Sequence, residues 1–281
     1  AILTLRDLES SGDVVLFEED GGEEGFGMLN TSKAPFDDIR ARKALAFSAS
    51  LDDYMEFIGQ GVLRPADSWF TPESPYHNPN VKQVHDVPDQ ATPLVAEYCA
   101  EFPDNCADGR INMEFQYSGP SVMQDRIYDV LTDGWSDHFN ITKDMKPQDS
   151  HINEVAFGQY DFVTWRQMGI ANPDGDVTWL NCTAVGFVSL NWPRLCDEER
   201  DALMYQARGS SDQDEKIDIW KQVAEMINAD YAYLMFTHTL WAHAYSPDVA
   251  GVCDYRFPDG SVPRCNYSGY TDYFPQLDMA K

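Results

Sequence analysis

The sequence predicts an α/β fold, and three observations predict it. Short β-branched and aromatic runs alternate with helical periodicities through the middle of the chain. Two stretches with helical spacing of apolar residues follow, leading into an apolar run. Hydrophobic residues make up 43% of 281 positions, enough for a real core.

Two short apolar runs, 14–17 and 26–29, flank Asp20-Gly21-Gly22-Glu23-Glu24-Gly25, which reads as strand, exposed turn and strand. The spacing of Ile39, Ala44, Leu45 and Phe47 predicts a helix over 37–50, with Asp37 or Asp38 at its positive N-terminus. A second short helix follows over 51–58. Segment 59–93 carries Pro65, Pro72, Pro75, Pro79 and Pro88 and reads as an extended surface excursion. Helices are predicted over 92–102 and 120–135, with Pro120 in a first turn, and strands over 111–117 and 139–143. A short helix ending near Gly158 leads into a strand over 160–165. Helices over 197–208 and 212–231 precede strands over 233–237 and 240–245, and no internal repeat is present.

The balance of 20 Lys+Arg against 47 Asp+Glu, a formal charge of −27, repels phosphate backbones and excludes nucleic acid as a partner. Such acidity is first of all a solvated coat, with a cationic ligand as the lesser reading. No apolar run approaches the length of about 18 residues that a membrane span needs. No basic stretch followed by an apolar one opens the chain, so any export signal is expected to be already removed or to lie outside it. Six cysteines fall in three close pairs, Cys99 with Cys106, Cys182 with Cys196 and Cys253 with Cys265, which suggests local disulfides and an oxidising compartment, although spacing alone leaves other connectivities open. Zinc-type Cys/His spacing is absent. Sequons stand at Asn140, Asn181 and Asn266, a number that arises easily by chance.

Segment 28–48 reads Met-Leu-Asn-Thr-Ser-Lys-Ala-Pro-Phe-Asp-Asp-Ile-Arg-Ala-Arg-Lys-Ala-Leu-Ala-Phe-Ser. This block closely resembles one in the family 5 extracellular solute-binding proteins of ABC transporters, the peptide-, nickel- and oligosaccharide-binding type. Segments 158–165, 196–208, the helix after Asp212 and Val249-Ala250-Gly251-Val252 resemble later landmarks of that family in the same order. In the block, Asn30 is suited to satisfying loop backbone, Phe36 to packing under the next helix, and Ala44 and Ala46 to close helix contact.

The resemblance implies a periplasmic-binding-protein-like lobe, type II and cluster C-like, with a mixed sheet and flanking helices. It implies the C-terminal half of a clamshell: residues 1–30 as strands of an N-terminal lobe and hinge, 31–231 as the C-terminal ligand-binding lobe, and 232–281 as a return segment. Relatives carry a whole N-terminal lobe before the block, so that lobe is expected to be missing here, with apolar surface exposed on the first strands and after Tyr231. The function implied is capture of a small polar solute, oligosaccharide or peptide, in an interlobe cleft for an ABC permease. The implied setting is periplasmic or extracellular, with no cofactor and no catalysis.

By position in the resemblance, the cleft face includes Trp165, Arg166 and Gln167 at a strand end, and Phe187, Asn191 and Trp192 on a later loop. Tryptophans stack on sugar or peptide planes, arginine pairs with a carboxylate, and asparagine bonds hydroxyls or amides. Each aromatic taken alone is more often core, and an exposed arginine more often a surface ion pair. Seven tryptophans tilt the solute toward an oligosaccharide. Asp174-Gly175-Asp176 lacks full calcium-loop spacing, and His238 and His243 stand five apart, on opposite faces of a regular strand. The alternative reading is a secreted hydrolase domain with paired carboxylates as acid and base.

Overall fold

The computed structural model describes residues 2–167, 172–250 and 278–279. Its centre is a mixed sheet in the order β2 (Arg64–Pro65), β7 (Tyr233–Tyr245), β1 (Val15–Leu29), β6 (Phe162–Gln167), β4 (Arg110–Ser118) and β3 (Cys106–Ala107), with β5 (Phe139–Lys146) also on β4. Strand β1 runs antiparallel to both β6 and β7, whereas β4 is parallel to β5 and β6. A small ladder, β8 (Val249–Ala250) with β9 (Asp278–Met279), stands apart.

Strand alternation sorts the core into two layers, because successive side chains leave a strand on opposite faces. Leu29, Phe162, Leu234 and Phe236 enter one layer, where α2 (Ile39–Ser48), α3 (Leu51–Tyr54), α4 (Pro88–Glu101) and α5 (Val122–Trp135) pack. Phe26, Met28, Val163, Tyr233 and Met235 enter the other, under α6 (Gln148–Ala156), α7 (Val177–Leu180), α8 (Glu198–Gly209) and α9 (Gln213–Asp230). In the first layer Phe162 meets Phe115 and Trp135 edge-on, and the Trp135 Nε1 donates to Leu45 O at 2.9 Å, so its indole is buried without an orphaned donor. The ring of Phe162 lies across Gly27 on the neighbouring strand: a Cβ there would sit 2.3 Å from Phe162 Cε2. Only glycine admits that approach.

The landmarks of segment 28–48 do what their residue types permit. Asn30 Nδ2 donates to Gly158 O and Tyr160 O, its Oδ1 accepts from Ser32, and Phe36 and Ala44 are fully buried. Asp38, Asp197 and Asp212 each accept from backbone N–H groups in the first turn of α2, α8 and α9. Cys99–Cys106 and Cys182–Cys196 are disulfides, whereas Cys253 and Cys265 lie outside the described residues. Asn140 and Asn181 both spend their side chains on internal hydrogen bonds.

Several expectations need correction. The segment read as strand, turn and strand is one strand, β1: between Asp20↔Leu240 and Glu24↔His238 the ladder shifts register, so the Gly21-Gly22 stretch is absorbed as a bulge. The two strands expected over 233–245 are likewise one, since β1 pairs along its whole length. The chain opens with a helix, α1 (Ile2–Ser11), that the sequence reading missed; none of its residues is buried. Segment 59–93 is no mere surface excursion, because Trp69 stacks on Phe26 at 5.8 Å and meets Tyr233 edge-on, filling the second layer. Pro120 precedes α5, whose cap is Ser121. Exposed apolar surface is found on α1 and at Val15, but Tyr233–His238 is buried between the two layers.

Candidate functional site

A solvent-open cavity of about 660 Å³ lies where β6, β1 and β7 run side by side. Its apolar wall comes from Tyr54, Ile58, Leu63 and Phe236, with Met123 and Ile127 from α5. Its polar side comes from Ser118, Gln124, Gln148, His151 and Thr164. Gln124 and Gln148 sit in the first turns of α5 and α6, so both helices bring their positive ends toward the space. Thr164 Oγ1 donates to Gln124 Oε1 at 2.9 Å, tying β6 to α5.

Charge is concentrated at one corner. Glu23 of β1 is buried, with neither carboxylate oxygen reaching solvent, and its Oε1 is 3.3 Å from Arg166 Nε on β6. Burial pushes the Glu23 carboxyl above the usual carboxylate range, while Arg166 and the Trp241 indole oppose the rise. The Arg166 guanidinium lies over the Trp241 ring of β7, 5.2 Å from its centroid. Next to Glu23, the Glu24 carboxylate faces buried His238 at 3.6 Å, but burial and Arg64 hold that imidazole down at about 4, so it is neutral at pH 7. At the other end His151 is also held at about 4 by burial and lies roughly parallel to Trp165, ring centroids 5.5 Å apart.

Of the residues singled out in the sequence, Trp165 and Arg166 line this cavity, and Gln167 ends β6 opposite Glu24. The other three sit elsewhere. Trp192 packs edge-on against Trp165 at 4.6 Å and against Trp179, behind the cavity wall. Asn191 is buried, its amide donating to Leu180 O, Asn181 O and Leu195 O, so it braces the loop. Phe187 is 86% exposed and touches Phe157. Sequence reasoning passed over Glu23, His151 and Trp241; the two acids Glu23-Glu24, separated by Gly25 alone from the apolar run Phe26-Gly27-Met28-Leu29, were the available signal. Asp174 pairs with Lys216 at 3.4 Å, and fully buried Asp176 accepts from Trp69 Nε1 at 3.2 Å, its carboxyl pushed up to about 7 by burial. Among the described residues no His, Cys, Asp and Glu group is arranged to hold a metal ion, and no helix is long and apolar enough to cross a membrane.

The fold recurs in solved structures. A periplasmic binding protein from Helicobacter pylori, DppA, bound to the peptide STSA, superposes with a TM-score of 0.81 at 17% identity over 99% of this chain and 51% of that one. A dipeptide-binding protein from Pseudoalteromonas sp. SM9913 with Met-Leu gives a TM-score of 0.76 at 20% identity, covering 89% of this chain and 49% of that one. In sequence, the Di/tripeptide-binding protein 2 of Pseudomonas aeruginosa strain UCBPP-PA14 is 22% identical over 247 residues, 87% of this chain and 46% of the relative. The Heme-binding protein A of Haemophilus influenzae is 22% identical over 254 residues, 89% and 45%. The chain thus spans about half the length of the curated relatives it matches. Residues 3–187 match the family described as bacterial extracellular solute-binding proteins, family 5 Middle. With that match covering most of the chain and the type II binding-protein fold around an open cavity, the chain belongs to the family 5 bacterial extracellular solute-binding proteins.

Proposed function

We propose that this chain supplies one wall of a binding site for a short peptide, in a receptor that hands its solute to an ABC permease outside the cytoplasm. The observation that carries the reading is the cavity itself: about 660 Å³, apolar on one side, with neutral hydrogen-bonding groups on the other and an exposed guanidinium at its edge. That volume falls inside the range of about 300–1,000 Å³ usual for small-molecule sites. A peptide offers apolar side chains, amide groups and a terminal carboxylate, and each finds a counterpart here. Relatives named as di/tripeptide- and dipeptide-binding proteins support the same ligand class.

An oligosaccharide is less well served. Stacking on a sugar needs an open aromatic face, and Trp165 already has His151 roughly parallel to it and Trp192 edge-on. Hydrolysis by paired carboxylates needs two acids facing across the space, and among the described lining residues Glu23 is the one carboxylate. The reading is therefore binding without turnover.

A second lobe would close the open side. Residues 1–30 and 232–281 are the segments leading to it, a view favoured by β1 and β7 pairing from Val15↔Tyr245 to Met28↔Tyr233, so that the two paths run together. Closure of such a lobe about a hinge traps the solute.

Titration calorimetry of the full-length protein with trialanine and with maltotriose tests the ligand class. Saturable heat with trialanine and none with the sugar is expected, with Trp165→Ala weakening the peptide about tenfold by removing part of the cavity wall. Saturable binding of maltotriose alone would overturn the reading.

A further inference from the structure

We propose that Glu23 is a positioning residue: it holds the Arg166 guanidinium at the cavity wall, where Arg166 recognises a carboxylate of the bound solute. The inference rests on the reading of the cavity as a solute site and adds which residue sets its charge selectivity.

Exposure decides which member of the pair meets the ligand. The Glu23 side chain is 2% exposed and the Arg166 side chain 63%. A solute entering the cavity therefore meets the guanidinium, with the carboxylate behind it. Among the described residues lining the cavity, Arg166 is the one cation at neutral pH, because His151 is held far below neutrality.

An exposed arginine left alone samples many rotamers, and ordering it at binding costs entropy. Here three adjacent strands restrict it. Arg166 leaves β6 opposite Gly25, the Glu23 carboxylate comes from β1, and the Trp241 ring comes from β7. The bulge between Asp20 and Glu24 places consecutive acids, Glu23 and Glu24, both in buried positions, where a regular strand would turn one of them to the opposite face.

Among the described residues, the nearby charged groups Glu24 and Arg64 are already engaged. Glu24 faces neutral His238, and Arg64 of β2 pairs with Glu73 at 2.9 Å. A solute carboxylate docking on Arg166 thus adds a second carboxylate to a guanidinium that has one partner behind it. Arginine's planar fork accommodates two such partners on different edges.

The test uses the full-length protein, with trialanine and trialanine amide as probes and two variants, Glu23→Gln and Glu23→Asp. Gln keeps the shape but removes the charge; Asp keeps the charge but retracts it. The parent is expected to prefer the free carboxylate over the amide by about tenfold, the scale of one charge-assisted contact. Glu23→Gln should cut that preference at least about threefold, Glu23→Asp should fall between, and Arg166→Gln should abolish it. A second readout needs no ligand: the ¹⁵Nε chemical shift of Arg166, expected to move in Glu23→Gln when the carboxylate charge 3.3 Å from Nε is removed. Unchanged carboxylate preference in Glu23→Gln, or an unchanged Arg166 resonance, overturns the inference. If trialanine fails to bind even the parent, the peptide reading falls, and the resonance still decides whether Glu23 positions Arg166. Should Glu23→Gln fail to fold, Glu23→Asp carries both readouts.

Discussion

Two ion pairs in this molecule look alike on paper and are built in opposite ways. Arg200 on α8 is almost wholly buried, donating to Asp230 Oδ2 at 2.9 Å at the end of α9, to Leu180 O at the end of α7 and to Leu195 O ahead of α8. In the pair of Glu23 with Arg166 the acid is buried and the base stands in solvent. The first arrangement spends its charge inside the fold, joining three segments. The second leaves half of its charge facing a cavity, where a solute can use it.

The sharpest way to break that contrast is Arg200→Met. It leaves Asp230 largely buried without its main counter-charge and takes one of two donors from the Leu180 and Leu195 carbonyls, which keep the Asn191 amide, and the expected loss is about 3–4 kcal/mol of stability in a urea titration at pH 7. That is near the lower end of the range for buried pairs, because a quarter of the Asp230 side chain reaches solvent. A loss below about 1 kcal/mol, the scale of an exposed pair, would erase the difference.

Asp176 sharpens the comparison from another side, as a fully buried carboxyl whose support is the Trp69 indole rather than a cation. Its folded value of about 7 lies above the ordinary 3.8, so the folded state binds the extra proton between those values. The group therefore penalises folding increasingly as pH rises from about 4 to about 7, and fully above that. Asp176→Asn keeps the acceptor for Trp69 and should stabilise the protein by about 2–3 kcal/mol at pH 8 and by almost nothing at pH 4. Matched urea midpoints at the two pH values check it, and a gap that stays constant with pH refutes it.

The Cys182–Cys196 bridge closes the loop that offers the Leu195 carbonyl to Arg200. Replacing both cysteines by serine should cost about 2 kcal/mol, somewhat under the chain-entropy value of about 3 kcal/mol for a loop of that length. The loop keeps its Asn191 bonds, so thermal unfolding should remain a single transition.

How much of this was legible in the sequence differs by region. The aspartate at the N-terminus of α2, the starts of α8 and α9 at Asp197 and Asp212, the Asn30 turn and the helical stripe of α9 follow local rules, and the structure realises them as read. The strand β1 was misread because a Gly-Gly flanked by acids carries the local signature of a turn, while its continuation depends on β7, more than two hundred residues away. The same distance hid the charged corner. Glu23, Arg166 and Trp241 become neighbours only because β6, β1 and β7 are adjacent in the sheet, and no spacing in the chain encodes that. Asn191 shows the converse: a polar residue in a loop beside a tryptophan looked available, yet the surrounding carbonyls consume its amide.

The smallest stability effect belongs to Glu23→Gln. Burial raises the Glu23 carboxyl, so ionising it in the folded state works against folding at neutral pH, and Arg166, mostly in water, offsets only part of that. Removing the charge should leave stability within about 1 kcal/mol of the parent, neutral to slightly favourable, in contrast to the large loss at Arg200. The sign follows from linkage: a carboxyl whose folded value lies above its unfolded value costs stability as pH rises, so the variant should gain on the parent between acid and neutral pH. Urea midpoints at pH 4 and pH 8 measure it. A loss of several kcal/mol would mean that Glu23 braces the bulge of β1, and the two ion pairs would then be of one kind.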